Sequence, residues 1–391
     1  MRQIYLDYSA TTPVKDEVLQ EMLPYFTERF GNPSSLYTVG QESKTAISTA
    51  RERLAALIGA DPKEIFFTSS GTEADNWAVI ETARLKRDKG KGNHIITTKI
   101  EHHALLHSGE ALEKEGFDVT YLGVDAEGFV RLSELEAAIR PETTLISIMF
   151  ANNEIGTIEP IAQIAEIAKK HGVVFHTDAV QALGNIDIDV HALGVDLMSM
   201  SGHKIYGPKG IGALYIRKGV ALPAHLYGGA QENNKRAGTE NLTGIVGFGK
   251  AAALAKANLR NHIQKVSDLR NYFLEQIQEN IEDIRINGNF EHRLPGNLNI
   301  TFKYIEGEAL LLLLDMDGIA VSTGSACSSA SLTPSHVLDA IGVPVEEIHG
   351  SIRFTVGDFT TKEDIDYVVE KLKAAVIKLR RISSVSKESG W

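Results

Sequence analysis

From residue 64 onward, apolar and polar positions along this chain alternate between two patterns: short solid apolar runs and longer amphipathic stripes. The short runs are "EIFFTSS", "HIITTK", "VTYLGV", "TLISIMF", "VVFHTD" and "DLMSMS", each bounded by turn residues. Runs of this length and composition predict buried strands. Between them stand "EADNWAVIETARLKR", "HHALLHSGEALEKEG" and "IAQIAEIAKKHG", whose apolar positions recur at helical spacing. Alternation of this kind predicts an α/β fold with a mostly parallel sheet covered by helices on both faces.

The pattern changes near residue 250. A helix over roughly 246–280 leads to a strand at "GNLNITF", a helix at "EGEALLLLLDMDG", a strand at "GSIRFTVG" and a last helix over "TKEDIDYVVEKLKAAVIKLRR". This predicts a smaller α+β domain to which the first dozen residues return. A chain of 391 residues also exceeds one ordinary core. The expected division is a large domain over 14–255, a small one from 1–13 and 256–382, and a disordered polar tail over 383–391.

Composition narrows the class. At 43% hydrophobic and 23% charged, the chain has the make-up of a soluble globular protein. The run "EALLLLLDMDGIAV" carries acids and is far short of a membrane span. The opening "MRQIYLDYSATTP" lacks the apolar stretch of a signal peptide, so a cytoplasmic location is expected, with no membrane partner. A net charge of −11 argues against nucleic acid as the main partner. The single cysteine, Cys327, excludes an internal disulfide and a cysteine cage for a metal. A lone cysteine is usually a small buried hydrophobe. Here its setting, "STGSACSSAS", is that of an exposed loop and favours a reactive thiol.

Three stretches carry candidate chemistry. In "FTSSGTEADN" a strand ends and Ser70, Gly71 and Thr72 lead into a helix, whose free N–H groups suit an anion, although simple capping explains the same residues. In "VVFHTDAVQ", Asp178 ends an apolar strand with Gln181 three residues on, and ligands of α/β sheets sit beyond strand carboxyl ends. A helix cap is the competing role. In "SMSGHKIYGPKG", Ser201, His203 and Lys204 end another strand among glycines. A lysine amine in a partly desolvated pocket can form a Schiff base, whereas an ordinary lysine is a surface cation.

Together with "YLDYSATTP", "FGNPSS", "EHHALL", "NNEIGTI", "RAGTEN", "GSACSSAS" and "SIRFTVGDFTT", these segments span nearly the whole chain. In that order the sequence resembles pyridoxal-phosphate enzymes of the class V aminotransferase group, and within it the cysteine desulfurases of the NifS/IscS type. The resemblance implies the aminotransferase-type fold, a large domain with a mostly parallel seven-stranded sheet plus a smaller α+β domain. It implies pyridoxal 5′-phosphate as cofactor, L-cysteine as substrate, a homodimer, and an iron–sulfur scaffold protein as sulfur acceptor. Lys204 matches the lysine that holds the cofactor covalently, Asp178 the partner of its ring nitrogen, and Gln181 the donor to its phenolic oxygen. His102 matches the histidine stacked on the ring, which also handles protons. Gly71, Thr72, Ser201 and His203 match the phosphate cup, and Thr239 a phosphate contact reached from the other subunit. Asn153 and Arg353 match the clamp on the substrate carboxylate, for which the planar guanidinium is suited.

Cys327 matches the catalytic thiol that takes the sulfur as a persulfide. No resident metal is implied, Cys327 being the one candidate for a transient cluster ligand. Capping alone would account for His102 and Asn153, and strand alternation leaves a solvent-facing position for Arg353. A related enzyme such as a selenocysteine lyase fits the same residues. "SGHK" also fits the S-x-x-K pattern of acylating enzymes, but no KTG segment accompanies it. A non-enzymatic scaffold on this fold is the remaining alternative, and intact Lys204, Asp178 and Cys327 speak against it.

Overall fold

The computed structural model describes residues 2–323 and 334–383. Its central sheet has seven strands: β1 (Ile65–Thr68), β2 (His94–Thr98), β3 (Asp118–Leu122), β4 (Thr143–Ser147), β5 (Val174–Asp178), β6 (Leu197–Ser201) and β7 (Gly212–Ile216). Their order is β1-β7-β6-β5-β4-β2-β3, and only β7 runs antiparallel to its neighbours. The α/β expectation therefore holds, and β7 is a strand that the apolar runs did not mark.

Apart from the edge strand β3, the sheet is buried on both faces, which is why its strands are solidly apolar rather than alternating. Phe67, Ile96, Ile146, Met198 and Tyr215 face one cluster with Leu54, Ile164 and Phe248. Their chain neighbours Phe66, Ile95, Leu145, Leu197 and Leu214 face the other side, against Trp77, Ala83 and Leu112. The period of two thus splits each run between two cores. Trp77 is fully buried, and its indole N–H donates to the Pro223 carbonyl oxygen at 2.8 Å.

A separate apolar cluster joins Phe273, Phe302, Phe354 and Leu372 around a three-stranded sheet of Ile284–Ile286, Asn297–Phe302 and Ser351–Thr355. The helix Leu242–Asn280 supplies residues to both clusters, Phe248 to the first and Phe273 to the second. Asn241 caps its start, accepting from the Gly244 N–H at 3.1 Å. The last helix, Lys362–Ile382, opens on a reciprocal capping box between Thr361 and Asp364. Beyond Ser383 the expected tail lies outside the described residues.

The N-terminal segment straps the two clusters together. Ile4–Tyr5 pairs in parallel with Ile319–Ala320, and the Ser9 N–H donates to Thr355 Oγ1 at 2.9 Å. Farther on, the Thr12 N–H donates to the His203 carbonyl oxygen at 3.0 Å, beside the end of β6.

One close approach fixes a residue at β7. A Cβ on Gly212 would lie 2.5 Å from the Ser70 carbonyl carbon and 2.8 Å from the Met200 oxygen, both backbone. Gly212→Ala is expected to cost about 1–3 kcal/mol by pushing the Ser70 turn away. Thermal melting checks this, and an unchanged midpoint would mean that the turn yields freely.

Candidate active site

The carboxyl ends of five strands converge on one cavity of about 330 Å³, within the range of small-molecule and cofactor sites. β1 delivers Ser70, Gly71 and Thr72; β2 delivers Glu101, His102 and His103; β4 leads to Met149, Asn153 and Glu154. β5 contributes Asp178 and Gln181, and β6 contributes Ser201, His203 and Lys204. This is the crevice at which doubly wound sheets bind ligands. Arg353, from the smaller sheet, closes the far side.

Lys204 reaches into this space. Its ammonium donates to the Ala10 carbonyl oxygen at 2.8 Å and to the Ser9 carbonyl oxygen. Gln181 Nε2 donates to the same Ser9 oxygen at 3.0 Å, and His203 Nδ1 sits 3.0 Å from Thr11 Oγ1. The N-terminal strap is therefore part of the site, which the sequence motifs did not reveal. His203 is pushed down to about 4 by burial and then by Lys204, so it is neutral at pH 7.

At the β1 end, Ser70 caps the helix Gly71–Asn76 by accepting from the Glu73 N–H at 3.1 Å. This leaves earlier N–H groups of the first turn facing the cavity, an arrangement suited to an anion. Burial pushes the Glu73 carboxyl up, but hydrogen bonds from Arg236 and Ser69 outweigh it and hold the group below its ordinary value. The Arg236 fork binds Glu73 at 2.8 and 3.1 Å, tying down the loop that carries Thr239. Thr239 itself is exposed and does not line the cavity of its own chain.

His102 both caps and lines. Its Nδ1 accepts from the Ala104 N–H at 3.1 Å, so the neutral ring carries its proton on Nε2. Burial, followed by Lys204 and His103, lowers it to about 4. A neutral imidazole with one free N–H is what stacking on a ring and passing a proton require. Asn153 lines the cavity, and its carbonyl oxygen accepts from Arg353 Nη1 at 2.9 Å. Arg353 is 2% exposed, so the solvent-facing reading of its strand position is overturned. The face opposite Ile352 and Phe354 covers the cavity rather than water.

Among the buried carboxyls that line the cavity, burial raises Asp75, Glu101 and Asp178, of which the sequence motifs marked only Asp178. Asp178 is pushed up to about 6 by burial, although the Val180 N–H and Lys204 favour its anion. Asp75 is raised well above its ordinary value by burial and then by Asp178. Glu101 is pushed up to about 8 by burial, against hydrogen bonds from Thr98 and the Met149 N–H. Lys204 favours the charge on Asp178 alone of the three, so Asp178 holds its charge most readily while burial pushes both neighbours towards their protonated forms. The stabilisation of Glu101 by protonation is present below its unfolded value of 4.5 and is lost as pH rises towards 8. Glu101→Gln is therefore expected to flatten the fall in melting temperature over that window. Parallel curves for variant and parent would contradict the assignment.

His103, His107 and His336 cluster at the mouth, with ring centroids of His103 5.2 Å from His107 and 5.0 Å from His336. Among the described residues no group of three His, Cys, Asp or Glu side chains is placed to hold a metal ion. Cys327 lies outside the described residues.

A lysine, a buried acid, a helix-start anion cup and an arginine thus share one cavity, and comparison with known proteins gives this arrangement a context. A family model described as Aminotransferase class-V matches residues 4–368. The chain is 55% identical over 387 residues to "Cysteine desulfurase IscS" of Dictyoglomus turgidum, covering 99% of this chain and 98% of that protein. Among solved structures, a "NIFS-like protein" superposes with a TM-score of 0.91 at 38% identity, covering 97% of this chain and all of that one. "SspA in complex with cysteine" superposes with a TM-score of 0.81 at 37% identity, over 92% and 100% of the respective chains. From the fold, the cavity and these matches together, the chain belongs to the class-V aminotransferase family.

Proposed function

We infer that the protein is a pyridoxal-phosphate-dependent cysteine desulfurase, which converts L-cysteine to L-alanine and passes the sulfur on. The observation that carries this is the similarity over nearly the full chain to "Cysteine desulfurase IscS" proteins, joined to a cavity whose residues fit the cofactor. The fit rests on three features: an amine on Lys204 inside the cavity, a buried acid at the end of β5, and N–H groups at Gly71 and Thr72 beside Ser201 and His203. A Cβ on Gly71 would fall 2.6 Å from Val180 Cγ2, so a larger residue there would have to displace the Val180 side chain.

In this reading Lys204 would hold the cofactor covalently, Asp178 would pair with its ring nitrogen, Gln181 would donate to its phenolic oxygen, and His102 would stack on its ring. Gly71, Thr72, Ser201 and His203 take the phosphate. When bound, the cofactor supplies an electron sink for charge developing at the substrate Cα. Arg353 and Asn153 orient the substrate carboxylate, and the Lys204 amine removes the proton from Cα. Cys327, as thiolate, attacks the substrate sulfur. The sulfur–carbon bond breaks, its electron pair stays with Cβ, which takes a proton, and return of a proton to Cα leaves alanine while the protein keeps a persulfide.

We assign the chain a large domain over 14–255 and a small one from 1–13 and 256–382, a division supported by the two apolar clusters. A homodimer would carry Thr239 into the partner's phosphate cup. Exposed Phe26, Phe30, Leu36 and Tyr37, and Tyr227 on the Thr239 loop, support a second copy covering them. With no second cysteine for an internal relay, the acceptor is an external thiol, for which an iron–sulfur scaffold protein is proposed. No helix of the described residues is long and apolar enough to cross a membrane, and a cytoplasmic location fits this reading.

The test is incubation of the purified, cofactor-loaded protein with L-cysteine and a reducing thiol. Alanine and sulfide in equal amounts are expected. Sulfide accompanied by pyruvate and ammonia instead would contradict the assignment.

A further inference from the structure

Arg353 is a buried cation with an anion behind it. Asp7 Oδ1 lies 2.7 Å from Arg353 Nη2, with side-chain exposures of 14% and 2%. Arg353 lines the cavity and Asp7 does not, so the carboxylate approaches the guanidinium from outside the cavity. Asp7 is held there by its own backbone. It bridges to Thr355, two residues beyond the arginine, and the Tyr5 hydroxyl donates to its carbonyl oxygen at 2.8 Å. The Asn153 carbonyl oxygen fixes the Nη1 corner.

A guanidinium bound in this way is oriented and partly neutralised before any ligand arrives. A second carboxylate, brought in by a ligand, then shares the cation with Asp7, and the two anions repel across it. We propose that Asp7 is a positioning residue that lowers the carboxylate affinity of Arg353, weakening the hold on substrate and product alike. Substrate cysteine and product alanine carry the same carboxylate, so a clamp of full strength would slow release of the product. The inference rests on the reading of Arg353 as the carboxylate clamp.

Asparagine at position 7 keeps an oxygen to accept from Nη2 and removes the charge. A purely structural role for Asp7 predicts that this change loosens Arg353 and weakens binding. The charge-sharing role predicts the opposite sign. In the cofactor-loaded enzyme, Asp7→Asn is expected to lower the dissociation constant of L-alanine, read by calorimetry, by about tenfold. That is the scale of one like-charge contact removed in a partly screened site. The KM for cysteine should fall by a similar factor, and the ligand-free protein should melt earlier because the buried cation loses its counter-charge. Asp7→Glu, which retains the charge, should stay near the parent in both constants and serves if the asparagine variant does not fold.

Two results overturn the proposal: an alanine constant that is unchanged or weaker in Asp7→Asn, or an Asp7→Glu protein that binds alanine tenfold more tightly than the parent. Arg353→Gln separates the two layers. If it leaves alanine and cysteine binding intact, the clamp reading fails and this inference falls with it. If it weakens both while Asp7→Asn strengthens neither, only the role of Asp7 is wrong.

Discussion

Lys204→Ala is expected to remove the visible absorbance of the cofactor-loaded protein and to lower cysteine turnover by at least about 10⁴-fold, the scale seen when a covalent catalytic group is lost. The expectation follows from where the side chain sits. Its amine lies in the cavity among Asp178, Gln181 and His203, held by the carbonyl oxygens of Ser9 and Ala10. Alanine at this position removes both the covalent tether and the base at the substrate Cα. Binding of the phosphate need not disappear, because Gly71, Thr72, Ser201 and His203 belong to other segments of the cavity wall. Lys204→Arg keeps a cation but cannot form the linkage, and it should be as inactive as the alanine variant. Spectra with and without added cofactor, alongside alanine release, measure all of this. Parent-like colour and turnover in either variant would remove Lys204 from the chemistry.

Cys327→Ala should separate the two halves of the reaction. The variant is expected to bind cofactor and cysteine as the parent does, because none of the cavity residues named above is changed. Sulfide release in the presence of a thiol should fall by roughly 10³-fold or more, since the neutral or missing nucleophile cannot take the sulfur. No persulfide should form on the protein. A variant that releases sulfide at the parent rate would show that another group, or the added thiol itself, attacks the substrate sulfur.

The sequence marked six of the seven central strands. Five of them are buried on both faces and therefore read as solid apolar runs, while the edge strand β3 was marked by its apolar content and turn-bounded length although only its Leu122 is buried. β7 escaped because "GALYI" opens on a glycine and follows a glycine-rich turn. Its glycine is explained only by the backbone of Ser70 beside it, a contact made across 142 positions of chain. Helices Asp16–Met22 and Thr38–Ile58 were also not marked, the second being rich in Ser, Thr and Ala and weak in apolar contrast.

At the site, the strand-end residues Asp178, Ser201, His203 and Lys204 were legible because chemistry and strand ends coincide in the chain. Asp75, Glu101 and Asp7 were not. Each looks like an ordinary acid of a helix start or strand end, and only the fold buries the first two together and sets the third against Arg353. Arg353 shows the converse. Period-two alternation placed it correctly opposite Ile352 and Phe354 but could not tell that this face covers a cavity. His102 does cap its helix, and because capping uses Nδ1 the other nitrogen is left for the ring-stacking role proposed for it.

The central claim is that one cysteine molecule gives one alanine and one sulfur atom held by the protein. A single-turnover quench of cofactor-loaded enzyme with limiting L-cysteine, in the absence of any added thiol, tests it most directly. The account predicts alanine and a persulfide on Cys327 formed in equal amounts and at the same rate. Alanine without persulfide, or a persulfide formed while no alanine appears, would contradict it.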